Sequence, residues 1–276
     1  MQSQLITEIT ISYRVYKGVS MQFSANLGFL WTDLSLPDAI RAAAQSGFDA
    51  VECHWPYATP ARDVITALQE TKLEMLGLNT HRGNQAENGL SAVPGRESEA
   101  IAAIDQALEY AVAIGAKSIH VMAGITSHSD AHSIFCHHLR YACQQAMPHN
   151  IQILIEPLNP YDAPGYFLNS SSQAITIIKE IDHPQLRLMF DCYHYQIIQG
   201  DICRSFEQLF PYIGHVQIAA APTRTEPGNG EINYAYILSK IGEFGWKRPI
   251  GAEYKTQGNT EKTLDWLAKF KTIPVY

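Results

Sequence analysis

The stretch Leu186–Asp191, LRLMFD, is a short apolar run that ends on a carboxylate. Three other runs in the second half of the chain have the same form: ILI precedes Glu156, HV precedes Gln217 and IGA precedes Glu253. The four residues are separated by 35, 26 and 36 positions, about one strand and one helix each. This spacing predicts successive parallel strands, each ending on an oxygen-bearing side chain.

The same alternation extends over the whole chain from Met21 onward. The predicted strands are Gln22–Leu27, Phe48–Cys53, Leu73–Leu78, Ser118–Met122, Ile151–Glu156, Leu186–Asp191, His215–Ala219 and Pro249–Glu253. Helices are predicted after each strand, the long one at Glu97–Ile114 and the last at Thr260–Phe270. Continuous apolar strands are typical of parallel sheets covered on both faces, so we predict a single-domain α/β protein, a (β/α)8 TIM barrel. A doubly wound open sheet is the alternative, but the chain lacks the Gly-rich turn after an early strand that such folds use for phosphate.

The bulk composition limits the function classes. The formal charge of −7 over 276 residues argues against a nucleic-acid partner. Five cysteines without a CxxC spacing argue against disulfides or a zinc site and favour a cytoplasmic location. The sequence has no apolar run of membrane-spanning length. We interpret residues 1–20 as an N-terminal extension and 21–276 as the catalytic barrel domain.

The strand-end residues predict a metal site. Active sites of TIM barrels lie at the carboxyl ends of the strands, where Glu156, Asp191, Gln217 and Glu253 are expected to meet. Oxygen ligands of this kind suit Mg²⁺ or Mn²⁺. Such an ion can stabilise an enediolate of a hydroxy-ketone, and Glu156 and Glu253, from strands facing each other, can move the proton. This pattern predicts aldose–ketose isomerisation or epimerisation.

Several longer segments resemble one family. They are GFDAVE (47–52), GLSAVPGRE (89–97), ALEYA (107–111), HVMAG (120–124), FDCYH (190–194), HVQIA (215–219), EPGNGEINY (226–234) and GAEYK (251–255). In these segments the chain resembles the hydroxypyruvate isomerase family of xylose-isomerase-like TIM barrels, and within it the 2-oxo-tetronate isomerase branch. The resemblance covers about residues 23–270 and implies a small keto-acid or sugar-acid substrate and a homo-oligomer, a dimer or tetramer.

The resemblance also implies roles for individual residues. It places the metal on Glu156, Asp191, Gln217 and Glu253, with the two glutamates transferring protons. His194 matches a position near metal and substrate, although such a histidine is often only a hydrogen-bond partner of a ligand. An arginine at the position of Arg224 lies near the polar end of the substrate, where a guanidinium suits a carboxylate.

Position alone adds two substrate-binding candidates and one departure. Lys255, two residues after Glu253, points to the same side, and His81 lies just past the third strand. Lys255 can supply positive charge there, whereas His81 can equally be an ordinary surface residue. His54 stands where members of the family tend to be apolar, so it can change the pocket wall.

Competing functions remain open. The leading hypothesis is conversion of hydroxypyruvate to tartronate semialdehyde, and the nearest alternative is a 2-oxo-tetronate isomerase. A sugar 3-epimerase usually has His in place of Gln217. An endonuclease acting at abasic sites needs a basic face, and a non-catalytic barrel predicts no proton exchange. A histidine-rich segment at 128–138 looks metal-like but spreads around the start of a helix, so we do not predict a metal there.

Overall fold

The computed structural model describes residues 19–84 and 86–273, and its centre is a sheet of nine parallel strands. In chain order the strands are β1 Val19–Ser20, β2 Phe23–Asn26, β3 Ala50–Glu52, β4 Glu74–Met75, β5 Gly77–Asn79, β6 Ser118–His120, β7 Gln152–Ile155, β8 Leu186–Asp191, β9 Ile213–Ile218, β10 Ile250–Ala252 and β11 Thr272–Ile273. β1 and β11 form a separate antiparallel pair, and the other nine strands form the parallel sheet.

The sheet closes into a barrel. Its order is β4-β3-β2-β10-β9-β8-β7-β6-β5, so the two outermost strands are the two parts of one segment, interrupted at Leu76. The Leu76 N–H donates to the Val51 carbonyl at 2.7 Å, and the Cys53 N–H donates to the Gly77 carbonyl at 3.0 Å, which keeps that segment on β3. The predicted (β/α)8 TIM barrel is therefore confirmed, with its third strand divided into β4 and β5.

Helices cover the outside of the barrel. They are α1 Leu36–Gln45, α2 Ala61–Thr71, α3 Glu97–Ile114, α4 Ala131–Ala146, α5 Ser171–Ile181, α6 Cys192–Ile198, α7 Ile202–Leu209, α8 Tyr234–Glu243 and α9 Asp265–Lys271. The sequence did not predict α6, which begins directly after β8. The predicted last helix is divided, because a 3-10 turn at Thr260–Thr263 precedes α9. Within the described residues no helix is long and apolar enough to cross a membrane.

The two ends of the barrel domain pack together. Phe23 of β2 is fully buried and meets Trp266 of α9 edge to face, with ring centroids 5.1 Å apart. Burying a phenylalanine of this kind contributes about 1.5–3 kcal/mol. The Met21 N–H donates to the Lys271 carbonyl at 3.0 Å, next to the β1–β11 pair. Val19–Ser20 of the predicted extension thus lies at this edge, whereas the rest of that extension, residues 1–18, lies outside the described residues.

Candidate active site

The four strand-end residues meet at one mouth of the barrel. Asp191, the last residue of β8, pairs in register with Gln217 of β9, and Gln217 also pairs with Gly251 of β10. Glu156 directly follows β7 and Glu253 directly follows β10. All four side chains belong to buried residues. The structure therefore brings together the residues that spacing alone suggested.

Asp191 both caps a helix and faces the site. Its Oδ1 accepts a hydrogen bond of 2.8 Å from the Tyr193 N–H at the start of α6, which is an ordinary N-cap interaction. The other oxygen, Oδ2, is buried and has no hydrogen-bond partner among the described residues. Burial, followed by the charge of Glu253, raises the pKa of Asp191 to about 7. The capping bond fixes the carboxylate so that its free oxygen points into the barrel mouth.

The amide of Gln217 has a defined orientation. Its Nε2 donates to Glu52 Oε1 at 2.8 Å, and an ionised carboxylate can only accept, so the nitrogen must be the atom that faces Glu52. The remaining amide oxygen, Oε1, is buried without a partner in the described part of the chain. Gln217 therefore turns its oxygen, not its nitrogen, away from Glu52.

Glu156 contributes a third free oxygen. Its Oε1 is buried and finds no partner among the residues that the structure describes. Oxygens of Glu156 and Asp191 and a ring nitrogen of His194 lie within 4.8 Å of one another. Burial, then repulsion by Glu253 and Asp191, raises the pKa of Glu156 well above its usual range. Glu156, Asp191 and Gln217 thus each offer a buried oxygen without a donor in the described part of the chain, and burial raises the pKa values of the two acids. Such hard oxygen ligands fit a divalent cation such as Mg²⁺ or Mn²⁺.

Both carboxylate oxygens of Glu253 have hydrogen-bond partners, unlike the free oxygens of the other three residues. Arg224 Nη2 donates to its Oε2 at 2.7 Å, while Asn26 Nδ2 and His54 Nε2 lie 2.9 Å and 3.0 Å from Oε1. Burial alone would raise the pKa of Glu253, but Arg224 and His54 outweigh it and hold that pKa at about 2. Since each carboxylate oxygen has two lone pairs, Oε2 keeps one for a further partner.

Arg224 is held between two aromatic rings. Its guanidinium carbon lies 4.9 Å from the ring centroid of Phe29 and 5.0 Å from that of Tyr193. Besides Glu253, it reaches Asp162 Oδ2 with Nη1 at 3.1 Å. It is the one arginine or lysine among the described residues that line the cavity at the barrel mouth. Arg224 therefore supplies the positive charge of this cavity wall, beside the carboxylates of Asp162 and Glu253.

His194 turns its Nε2 toward the acids without a hydrogen bond to either. Its Nδ1 accepts from the Asn159 N–H at 3.0 Å and lies 2.8 Å from Asn159 Nδ2, so the ring proton is on Nε2. Nε2 lies 3.7 Å from Asp191 Oδ2 and 3.9 Å from Glu156 Oε1. Burial, then the charge of Arg224, lowers the pKa of His194 to about 3, so the ring is neutral. A ring nitrogen that carries a proton cannot bind a metal, which leaves His194 to hydrogen-bond a ligand.

A cavity of about 150 Å³ opens above these groups. Its apolar walls are Phe29, Trp55, Met122, Leu158 and Ala163, and its polar lining is Asn79, Asn88, His54, His120, Glu156, Asp162, His194, Arg224 and Glu253. The cavity thus combines an apolar wall with polar and titratable side chains.

The other predicted substrate contacts lie away from this cavity. His81 is exposed, and its Nδ1 accepts from the Gly83 N–H at 3.1 Å. The side chain of Lys255 is also exposed, while its backbone N–H donates to the Arg224 carbonyl at 2.8 Å. Neither residue lines the cavity. His54, by contrast, forms part of the cavity wall and contacts Glu253.

Strand-end polar residues of the first half of the barrel were missed. Asn26, Glu52, Asn79 and His120 end β2, β3, β5 and β6, in the same position that Asp191 has on β8. Part of the signal was available, because Glu52 and Asn79 follow short apolar runs, whereas a serine interrupts the residues before Asn26 and His120.

The histidine-rich segment lies on α4, outside the barrel. His132 Nε2 is 2.6 Å from Glu180 Oε2, and Cys136 Sγ is 3.6 Å from the same nitrogen. Arg140 also pairs with Glu180 at 3.3 Å, so this carboxylate is already neutralised by a cation. All five cysteines are free.

Comparison with known proteins agrees with this fold. The sequence model of the xylose isomerase-like TIM barrel family matches residues 40–270. The 2-oxo-tetronate isomerase of Haemophilus influenzae is 37% identical over 91% of this chain and 99% of its own length. The hydroxypyruvate isomerase of Escherichia coli is 36% identical over 91% of this chain and 100% of its own length. The chain belongs to the xylose isomerase-like TIM barrel family, and it is an isomerase.

A solved structure confirms the fold. The crystal structure described as an AP endonuclease, family 2, from Brucella melitensis has a TM-score of 0.87 and 36% sequence identity, covering 90% of this chain and 98% of that one. Its name indicates a different activity from the isomerases, although the identity is about the same. The fold alone therefore does not choose the chemistry.

Proposed function

We propose that the protein is a metal-assisted isomerase of a short hydroxy-keto acid that converts hydroxypyruvate to tartronate semialdehyde. The observation that carries the proposal is that Glu156, Asp191 and Gln217, at the ends of three neighbouring strands, each hold a buried oxygen without a donor among the described residues. Relatives named hydroxypyruvate isomerase support the substrate class. In this proposal Mg²⁺ or Mn²⁺ is held by these three residues and by Glu253.

The chemistry needs a cation and two proton carriers. The cation, when bound, polarises the keto group and lowers the cost of forming an enediolate. One of the two glutamates, Glu156 or Glu253, removes a proton from the hydroxymethyl carbon, and a proton is returned to the neighbouring carbon, which was the ketone. The hydroxyl proton moves to the other oxygen, so atoms and charge balance. The net result is an aldehyde in place of the primary alcohol.

Side chains of the cavity bind and orient the acid. Arg224 is the cation that can meet the substrate carboxylate, since its five N–H groups exceed those used by Asp162 and Glu253. His194 Nε2–H can donate to a substrate oxygen next to the acids. The apolar walls exclude water and so strengthen these contacts.

A 2-oxo-tetronate isomerase is the second candidate. It uses the same proton transfer on a substrate with one more carbon. The specific observation in its favour is that the relative with this name is as similar as the hydroxypyruvate isomerase, at 37% against 36% identity. The cavity of about 150 Å³ does not separate the two acids.

An endonuclease activity is less well supported. A DNA-binding enzyme needs a basic surface for phosphates, whereas this chain has a formal charge of −7. The walled cavity above the acids also fits a small molecule rather than a duplex.

The test is a substrate panel in D₂O with Mn²⁺. We expect deuterium at carbon in hydroxypyruvate or its C4 analogue, with no exchange after EDTA treatment. Glu156→Gln should lose the exchange, whereas Glu243→Gln, at an exposed residue of α8, should retain it. Absence of exchange in every C3 and C4 keto acid would contradict the isomerase assignment to this class of acid. Exchange that persists in EDTA would contradict the metal.

A further inference from the structure

Glu52 is a carboxylate enclosed within the barrel. It ends β3 and is 4% exposed. Ser24 Oγ and His215 Nε2 lie 3.0 Å and 2.6 Å from its Oε2, and Asn26 Nδ2 and Gln217 Nε2 donate to its Oε1 at 3.1 Å and 2.8 Å. Four neighbours therefore match the four lone pairs of an ionised carboxylate. Ser24 and Asn26 lie on β2 and the other two partners on β9, so Glu52 connects strands across the barrel.

The Gln217 oxygen depends on this contact. If the amide turned around, its oxygen would face Glu52 Oε1 at 2.8 Å, with two acceptors and no hydrogen between them. The nitrogen would then take the place of the free amide oxygen, next to the strand end that carries Asp191, where a cation needs a lone pair. Glu52 thereby disfavours the orientation that cannot bind a metal.

A second contact extends from Glu52 toward Glu253. Asn26 Nδ2 donates both to Glu52 Oε1 at 3.1 Å and to Glu253 Oε1 at 2.9 Å. The orientation of this amide is fixed as well, because its Oδ1 accepts from the Gly28 N–H at 2.9 Å. One oxygen of Glu52 thus contacts one proposed metal ligand, Gln217, directly and a second, Glu253, through Asn26.

The fold makes room for this arrangement at Gly251. A Cβ atom there would lie 2.6 Å from Glu52 Oε1 and 2.8 Å from Gln217 Cγ, which is closer than real Cβ atoms approach other atoms. Glycine lets the backbone of β10 come close to both side chains. The Glu52–Gln217 contact is therefore accommodated by the neighbouring strand.

We propose that Glu52 is a positioning residue that holds the Gln217 carbonyl oxygen toward the divalent cation. The inference rests on the metal site of the proposed function. Glu52 is not among the residues that line the cavity at the barrel mouth, so it does not face a substrate there. It acts through Gln217, and secondarily through Asn26 and Glu253.

The test measures Mn²⁺ affinity of the full chain, without substrate, from the EPR signal of free Mn²⁺. Glu52→Met removes the acceptor but keeps similar bulk, and we expect Mn²⁺ to bind about 10–100-fold more weakly, as for other partners of metal ligands. Glu52→Gln keeps one acceptor oxygen for Asn26 and Gln217, and should restore affinity to near the wild-type value. An interior cavity of about 20 Å³ next to Glu52 can hold one water for the freed donors, so Glu52→Met should fold.

Ser24→Ala is the matched control. It removes a buried hydrogen bond to Oε2 but leaves the Oε1 contact with Gln217, so it should alter stability and not Mn²⁺ affinity. In a Gln217→Ala background, Glu52→Met should weaken binding much less than in the wild type, because coupled residues are not additive. If Glu52→Met does not fold, Glu52→Asp, which withdraws the carboxylate from Gln217, should weaken binding in the same direction.

The outcomes separate this inference from the metal proposal. Folded Glu52→Met with wild-type Mn²⁺ affinity overturns the positioning role and leaves the metal site intact. An equal loss in Ser24→Ala also overturns it, because that result indicates general damage to the barrel. If the wild-type chain does not bind Mn²⁺ at millimolar concentration, the metal site itself is wrong, and the role of Glu52 with it.

Discussion

Replacing Asp191 by Asn should stabilise the metal-free protein while abolishing its activity. The substitution keeps Oδ1, so the hydrogen bond of 2.8 Å from the Tyr193 N–H and the cap of α6 are retained. It removes a buried negative charge whose pKa is raised to about 7, first by burial and then by Glu253. The ionised carboxylate of Asp191 thus lowers the free energy of unfolding of the metal-free protein. We attribute the presence of this destabilising group to metal binding.

The size of the gain follows from the pKa. From an ordinary value of 3.8 to about 7, at about 1.36 kcal/mol per unit, the ionised form costs about 4 kcal/mol above pH 7. The new amide nitrogen would face Arg224 Nη2 at 3.9 Å and His194 Nε2 at 3.7 Å, which opposes part of the gain. We expect a net increase of about 2 kcal/mol in the free energy of unfolding, or a rise in Tm of about 4–8 °C.

The gain should depend on pH in one direction. Because the folded pKa of Asp191 lies above its unfolded value, the wild-type penalty is absent below about pH 3.8 and grows as pH rises to about 7. The advantage of Asp191→Asn should therefore be largest at pH 8 and shrink steadily toward pH 4.

Urea unfolding in EDTA at pH 8, 6.5 and 5 measures this effect. Asp130→Asn is the control, since it removes the same charge from an exposed side chain and should change stability by less than about 0.5 kcal/mol. A variant that is less stable than the wild type at pH 8, or whose gain is the same at all three pH values, would refute the reasoning.

Three further predictions concern the same site. Glu156→Gln and Glu253→Gln should each lower kcat and deuterium exchange by at least about 10²-fold, because each removes a proton-transfer group, and near-normal turnover in either contradicts the two-base assignment. Mn²⁺ affinity, measured by calorimetry, should fall as pH drops below about 7, approaching tenfold per unit, because Asp191 must lose its proton to bind; an unchanged affinity between pH 8 and 6 argues against Asp191 as a ligand. Arg224→Lys should raise KM more than it lowers kcat, since an ammonium cannot bridge Asp162 and Glu253 as the guanidinium does. Steady-state kinetics test this, and an unchanged KM means that Arg224 does not touch the substrate.

The barrel could be predicted because its signal is local and repeated. Each strand is a short apolar run followed by an amphipathic helix, so errors at single boundaries, such as the break at Leu76, do not change the count of units. Helix α6 was missed because Asp191 serves as both strand end and N-cap, so the sequence from Cys192 reads as a continuation of the strand end. Contacts of α6 with residues distant in sequence decide that a helix begins at Cys192.

The candidate site was predicted less completely. Position relative to a strand end suggested His81 and Lys255, yet both side chains are exposed to solvent. Spacing gives the side of the barrel on which a residue lies, but not the direction of a loop side chain. His81 and Lys255 stay predictions as substrate contacts. Glu52, by contrast, stands at a strand end within a segment of the family resemblance and was given no role.

The sequence by itself determined that four oxygen-bearing residues would lie at one end of one barrel. Parallel strands align their carboxyl ends at the same edge, so residues at the ends of successive strands must become neighbours. Which atoms of those residues face the site was decided by the tertiary structure. Gln217 is oriented by Glu52, a residue 165 positions away in the chain, and Glu253 is occupied by Arg224 while Glu156 is not. Hydrogen bonds across the barrel join residues from strands distant in sequence, so no local pattern contains them.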